Sequence, residues 1–364
     1  MARPHEVAAL VSTRERISAA LERWTGRPML LGVAVLNLIT GFGVSRVLSP
    51  MFGWDSGLYR ECARLLAEGR TDFCGFLYSP LMAVAAWPLT WFSPTTSAIT
   101  MTLVGVAILL VGVVLETRGQ AVIDRVLVAI AVMTFAPVVF ELLLGQTTLL
   151  IAAALYPLIR RPDAFRNGIP FGIALALAPK PLLFPILIWA IVWRRRGLTA
   201  TFLTTLLLTG VGVALLGVDQ YRDWVAVLTG AGRESVAGDF TLSLHANSSL
   251  WPLNPATFVL AGAVVAATLW TIVRDTSRGM VAALLAGLLL APYSLLYAFS
   301  ILLLAVKPAL AFAPRATRAV AVTANLATAY LPVLTIWSLV ALLACVPRQI
   351  RSAVSVRERL REAQ

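Results

Sequence analysis

Two ionisable residues occupy places where solvation alone does not explain them. Asp55 sits in Gly53-Trp54-Asp55-Ser56-Gly57-Leu58-Tyr59, directly after the first long apolar run. A carboxylate at a membrane surface can act as a general base towards a hydroxyl nucleophile. It can equally cap a helix N-terminus, with Ser56 as the alternative cap. Lys180 lies in Pro179-Lys180-Pro181 between two apolar stretches, and it is one of only two lysines among 30 basic residues. An ammonium at membrane depth is costly and marks a functional position by default, its natural partner being an anionic head group such as a phosphate. The plainer alternative is a side chain that snorkels to the surface.

Around these two stand polar residues with weaker signals. Trp54 and Tyr59 suit stacking on a sugar ring, and both types are also ordinary interfacial anchors. Tyr78, Gln146 and Asn247 are candidate substrate contacts. For Glu141 a satisfied interhelical hydrogen bond is the favoured reading, and for Asn247 a helix cap is an equal alternative. Arg222 and His245 are candidates to share an anionic charge with Lys180. Cys62 and Cys74 fall in one segment after the first span and are candidates for a disulfide in an oxidising compartment, with two unpaired thiols as the alternative. Cys345 lies in an apolar run and reads as packing. No phosphate-binding loop, dinucleotide fingerprint, zinc pattern or Ser-His-Asp order is present. No metal ligands are therefore assigned and no cofactor is required by the pattern, with a divalent metal left open.

Helices in a membrane must position these groups. Hydrophobic residues make up 59% of the chain and charged residues 13%, about half the charged share of a soluble domain. The fold class is all-α, a polytopic integral membrane protein with about ten to thirteen transmembrane or re-entrant helices. The net charge of +12 gathers in short loops (Arg160-Arg161, Arg194-Arg195-Arg196, Arg315 and Arg318) and at both ends. That distribution marks cytoplasmic loops and argues for membrane lipids, not nucleic acid, as the charged partner. The heavy use of arginine suits a GC-rich bacterial genome, hence a bacterial plasma membrane. Residues 1–28 read as a cytoplasmic amphipathic segment, 29–346 as the membrane domain and 347–364 as a basic cytoplasmic tail.

The first span, about 29–48, runs outwards into a loop at about 49–79. There Leu58, Cys62, Leu65 and Leu66 share one helical face, which predicts a short surface helix closed by Gly69. Apolar runs follow at 80–92, 98–115, 126–144 and 147–159. Runs at 171–178 and 182–193 form a hairpin with Lys180 at its outer tip, each arm shorter than a standard span. The run at 200–216 leads to a second outer loop, about 217–254, which holds Arg222, His245 and Asn247. Runs at 256–273, 279–290 and 295–306 precede a last stretch, 319–346, broken by Pro332. Asp55 and Gln146 must face the same side, yet three runs separate them. Either 80–92 is re-entrant or interfacial, or the 135–144 end of the third run lies on the surface.

Taken in order, Trp54-Asp55-Ser56-Gly57-Leu58-Tyr59, Phe76-Leu77-Tyr78-Ser79-Pro80-Leu81, Gly145-Gln146-Thr147-Thr148-Leu149-Leu150, Ala178-Pro179-Lys180-Pro181 and Asn247-Ser248-Ser249-Leu250 resemble the GT-C membrane glycosyltransferases. More specifically, they resemble the polyprenyl-phosphate-mannose-dependent α-mannosyltransferases of glycosyltransferase family 87. The resemblance implies a catalytic aspartate in the first extracytoplasmic loop, at Asp55, and a lipid-phosphate sugar donor. It further implies transfer with inversion to a glycan or glycolipid acceptor on the extracytoplasmic face, and it carries the family lysine onto Lys180. The chain departs from the pattern at Thr147-Thr148, where the family more often has Asn, and at Pro179. An arabinofuranosyltransferase of the same fold, or a transporter or lipid flippase, are the competing readings.

Overall fold

Apolar runs without internal charge can satisfy their backbone within a bilayer only as helices, and the computed structural model is helical throughout the residues it describes. These are residues 27–69, 78–234, 255–291 and 296–312, with Ala341 and Cys345. Almost all of the N-terminal amphipathic segment, Cys74, His245, Asn247, all but two residues of the 319–346 run, and the basic tail lie outside them.

The first helices are α1 (Arg27–Leu48), α2 (Trp54–Ala67), α3 (Pro80–Ala85) and α4 (Pro94–Glu116). Next come α5 (Val122–Met133), α6 (Ala136–Leu144), α7 (Thr148–Arg160), α8 (Ile169–Leu177) and α9 (Phe184–Trp193). Then follow α10 (Arg195–Leu216), α11 (Val218–Glu234), α12 (Pro255–Arg274), α13 (Thr276–Leu290) and α14 (Leu303–Phe312). Among the described residues, three helical stretches are long and apolar enough to cross a membrane by themselves: Arg27–Ala67, Pro94–Glu116 and Arg195–Leu216. The pair α5 and α6 qualifies together, bent by 62° at its break. This is a multi-pass, all-α membrane protein.

Ion pairs gather the basic loops at one end. Arg27 meets Asp124 at 2.8 Å, and Glu116 receives Arg160 at 2.9 Å and Lys307 at 3.1 Å. Asp163 accepts the backbone N–H groups of Arg196 and Gly197, 3.2 and 2.9 Å away, so its anion sits at the positive end of the α10 dipole. These contacts resolve the crossing problem. The 80–92 run is a six-residue helix followed by a 3₁₀ turn, Trp87–Trp91, and is too short to cross. Helix α4 carries the chain to the basic end, and α5 with α6 brings it back to Gly145. At the 135–144 end of the third run, Ala136, Val138, Phe140, Glu141 and Leu144 are buried within the protein. The break falls where Pro137, in the first turn of α6, cannot donate its backbone hydrogen bond.

Two further expectations change. The buried face of α2 is Ser56, Tyr59, Cys62 and Ala63, whereas Leu58 is exposed. The face is turned because Ser56, Cys62 and Ala63 are small enough to let α2 approach its neighbours closely, which leaves Leu58 outside the contact. The start of the second outer loop is helical, since α11 begins directly after Gly217. Its charged and apolar residues alternate at helical spacing. Helix α13 is buried along nearly its whole length, Gly279–Leu289, and forms the central post of the core. The 3₁₀ turn Pro181–Leu183 lies against it so closely that a Cβ on Gly287 would fall 2.0 Å from the Leu182 carbonyl oxygen.

Candidate active site

Opposite the basic end, four breaks in helical structure converge: the start of α2, the start of α3, the turn between α6 and α7, and the break between α8 and α9. The start of α2 is tied to the end of α6 by the Gly53 N–H, which donates to the Leu143 carbonyl at 2.7 Å. Gly145 closes α6 with φ 73°, a left-handed conformation that costs a side-chain-bearing residue about 1–2 kcal/mol. A Cβ there would also stand 3.0 Å from the Ser56 Cβ. The start of α3 is fastened to the end of α8, because Ser79 donates its N–H to the Leu177 carbonyl at 3.2 Å and its hydroxyl to the Ala176 carbonyl.

This framework decides the alternatives left open for Asp55. The cap residue of α2 is Gly53, Asp55 is in the first turn, and no side chain caps the helix. Ser56 donates back to the Gly53 carbonyl at 2.9 Å, so it is not the cap either. The Asp55 carboxylate instead accepts through Oδ2 from Gln146 Nε2. Gln146 Oε1 in turn accepts from the Tyr78 hydroxyl at 2.6 Å, and the Tyr59 hydroxyl donates to that of Tyr78 at 3.1 Å.

The substrate-contact role expected for Tyr59 is therefore corrected. Its side chain is wholly buried, Tyr78 is nearly so, and their rings meet edge to face at 5.2 Å. A ring without open surface offers no platform for a sugar. Trp54, 61% exposed, keeps that possibility. Together with exposed Trp87 and Trp91 it marks this end with indole side chains, as at a membrane–water interface.

Lys180 stands beside this group. Its ammonium donates to Thr148 Oγ1 at 2.8 Å and lies 5.0 Å from the Tyr297 ring centre and 5.6 Å from that of Tyr78, within cation–π range. Asp55 and Glu141 both act on it electrostatically. Glu141 is 1% exposed and accepts the Leu149 N–H at 2.9 Å through Oε1, an interhelical hydrogen bond of the kind favoured for it that satisfies one of its two oxygens. Its Oε2 has no hydrogen-bond partner among the described residues. Arg222 is exposed on α11, and the hydrogen bonds of the cluster do not include it. Cys62 is disulfide-bonded, its expected partner Cys74 lies outside the described residues, and Cys345 is free and buried.

Thr148 and Tyr297 were not singled out from the sequence. Thr148 carried a weak signal, as part of the Thr147-Thr148 pair at which the chain departs from the usual pattern after Gly145-Gln146. Tyr297 carried none, because only packing brings it from η-turn Leu296–Leu302 to the lysine.

A half-buried lysine and a half-buried aspartate, set among broken helices, are equipped to hold an anionic group while a proton is removed beside it. Residues 76–338, well over half of the chain, match the family model for glycosyltransferase family 87. The chain belongs to glycosyltransferase family 87. This family-87 chain is thus a membrane glycosyltransferase, acting on a sugar donor and an acceptor. No curated protein and no solved structure matches it. The matched stretch includes Tyr78, Gln146, Thr148 and Lys180 but begins after Asp55, so the contact with Gln146 is what joins Asp55 to the family portion of the glycosyltransferase. Helix α7 has 13 residues, about 20 Å of rise against about 30 Å of hydrocarbon, too short to cross by itself.

Proposed function

We propose that this glycosyltransferase moves a mannosyl residue from a polyprenyl-phosphate donor to a glycan or glycolipid acceptor, with inversion, on the extracytoplasmic face of a bacterial plasma membrane. The observation that carries the reading is that Lys180 and Asp55 share one cluster: the Lys180 ammonium lies 5.6 Å from the ring centre of Tyr78, whose hydroxyl holds the Gln146 amide that donates to Asp55. Asp55 takes the proton of an acceptor hydroxyl as that oxygen bonds to the anomeric carbon. The bond from the anomeric carbon to the phosphate oxygen breaks, and its electron pair leaves with polyprenyl phosphate. The donor diester carries one negative charge and the departing monoester two. Lys180 faces that growing charge, the kind of interaction that contributes most to catalysis because it strengthens in the transition state. Arg222 and His245 are proposed to assist it, and Trp54 and Asn247 to contact the acceptor.

Incubating the purified protein with synthetic polyprenyl-phosphate-mannose and short mannosides, with mass spectrometry of the products, tests the reading. A hexose increment that disappears in Asp55→Asn supports it. A pentose increment from a polyprenyl-phosphate-arabinose donor, and none from mannose, would replace the sugar and keep the mechanism. Donor movement across proteoliposomes without any product would sink it.

A further inference from the structure

We propose that Gln146 is a positioning residue for Asp55, locked in one amide orientation by the phenols of Tyr59 and Tyr78, and that it does not bind the acceptor. This rests on the reading of Asp55 as the general base. An ionised carboxylate can only accept hydrogen bonds, so the atom Gln146 turns towards Asp55 must be its amide nitrogen. Its carbonyl oxygen then faces the tyrosines: the Tyr78 hydroxyl donates to it, and the Tyr59 hydroxyl, with one hydrogen to give, donates to Tyr78 or to the same oxygen. The distances agree: Tyr78 hydroxyl to Oε1 is 2.6 Å, Tyr59 hydroxyl to Oε1 is 3.5 Å, and the two hydroxyls are 3.1 Å apart. Tyr59 comes from α2, Tyr78 from the residues before α3, and Gln146 from the turn between α6 and α7, so three separate elements define one amide.

Turning that amide over would set its oxygen against the carboxylate and withdraw the acceptor to which the buried Tyr78 hydroxyl donates. Each of these buried mismatches is costly. Gln146 is 8% exposed, and both ends of its amide are engaged by protein groups. Its effect on the reaction therefore passes through Asp55. With Oδ2 held by Gln146, Oδ1, which no described residue engages, is presented to the acceptor hydroxyl. Alignment of this kind governs turnover more than affinity, and misplacing a reacting group by about 1 Å costs roughly 100-fold.

The test compares kcat with the acceptor and donor KM in lipid nanodiscs for wild type, Gln146→Leu, Gln146→Glu, Tyr78→Phe and Tyr59→Phe/Tyr78→Phe, with Asp55→Ala alongside. The expected result is a kcat lowered roughly 10- to 100-fold in both Gln146 variants and in the double tyrosine variant. Tyr78→Phe alone should lose less, because the Tyr59 hydroxyl still donates to Oε1, and acceptor KM should move less than about twofold throughout. Gln146→Glu and the phenylalanine variants keep the side-chain volume and guard against a Gln146→Leu that fails to fold. An inactive Asp55→Ala together with a Gln146 variant that raises acceptor KM at unchanged kcat overturns this inference alone. Full kcat in the double tyrosine variant does so as well. Near-normal turnover by Asp55→Ala overturns the general-base reading, and this inference with it.

Discussion

Asp55 is available for chemistry because glycine, not aspartate, occupies the cap position of its helix. A capping carboxylate would spend its lone pairs on backbone N–H groups. Here one oxygen is oriented by Gln146, and no hydrogen bond from the described residues reaches the other. Because a base must be unprotonated to accept a proton, turnover should fall on acidification, approaching tenfold per pH unit below the point where Asp55 is titrated. A rate–pH series at saturating donor checks this, and an acidic limb retained unchanged in a residual-activity Asp55 variant would contradict it. Lys180→Ala should lower kcat/KM for the donor by roughly 100- to 1000-fold, while Lys180→Arg should rescue only partly, since the planar guanidinium does not fit a site shaped for a point charge. Thr148→Val removes the hydroxyl that holds the ammonium. It should raise donor KM severalfold and leave acceptor KM unchanged, as initial-rate measurements would show.

At the scale of elements, the site is made of interruptions. Proline starts α3 and stands in the first turn of α6 and α9, and a 3₁₀ turn precedes α9. Each break frees backbone groups that must be covered by protein in this setting, and the Ser79 contacts to α8 do so for the Lys180 loop. Gly145 and Gly287 permit the approach of these breaks to their neighbours. Gly145→Ala combines a left-handed backbone with crowding against Ser56, so it should destabilise by about 1–2 kcal/mol or more and lower the melting temperature. It should also reduce kcat, because it moves Gln146 relative to Asp55. A melting curve with the wild-type midpoint would show that the turn relaxes at no cost.

The whole molecule is a set of full spans that enclose shorter, broken helices, with its acid–base pairs sorted by end. Glu116, Asp124 and Asp163 balance arginines, lysine or helix dipole at the basic end, while Asp55, Glu141 and Lys180 meet at the other. The two-crossing path between Asp55 and Gln146 predicts labelling behaviour. Arg118→Cys and Arg161→Cys should react with a membrane-impermeant maleimide from the same side, and Leu58→Cys from the opposite side. Labelling of Arg118→Cys and Leu58→Cys from one side would mean that α4 does not cross.

The sequence by itself determined the all-helical membrane class, the short arms around Lys180 and the separation of basic loops from Asp55, because burial in hydrocarbon is a local demand that each run of residues meets or fails by its own composition. It also singled out Asp55 and Lys180, since a charge among apolar residues is conspicuous without any neighbour. Only the tertiary structure decided that 80–92 does not cross and that Asp55 is not a cap. Only it assigned Tyr59 and Tyr78 to the interior, and brought Thr148 and Tyr297 to Lys180. Those outcomes depend on which helix faces approach closely, on contacts such as Gly53 to Leu143 and Tyr78 to Gln146 that join residues up to 90 positions apart. Periodicity along one helix carries no record of its partner, and so the meeting of Asp55 and Lys180 in one cluster is a property of the packed molecule.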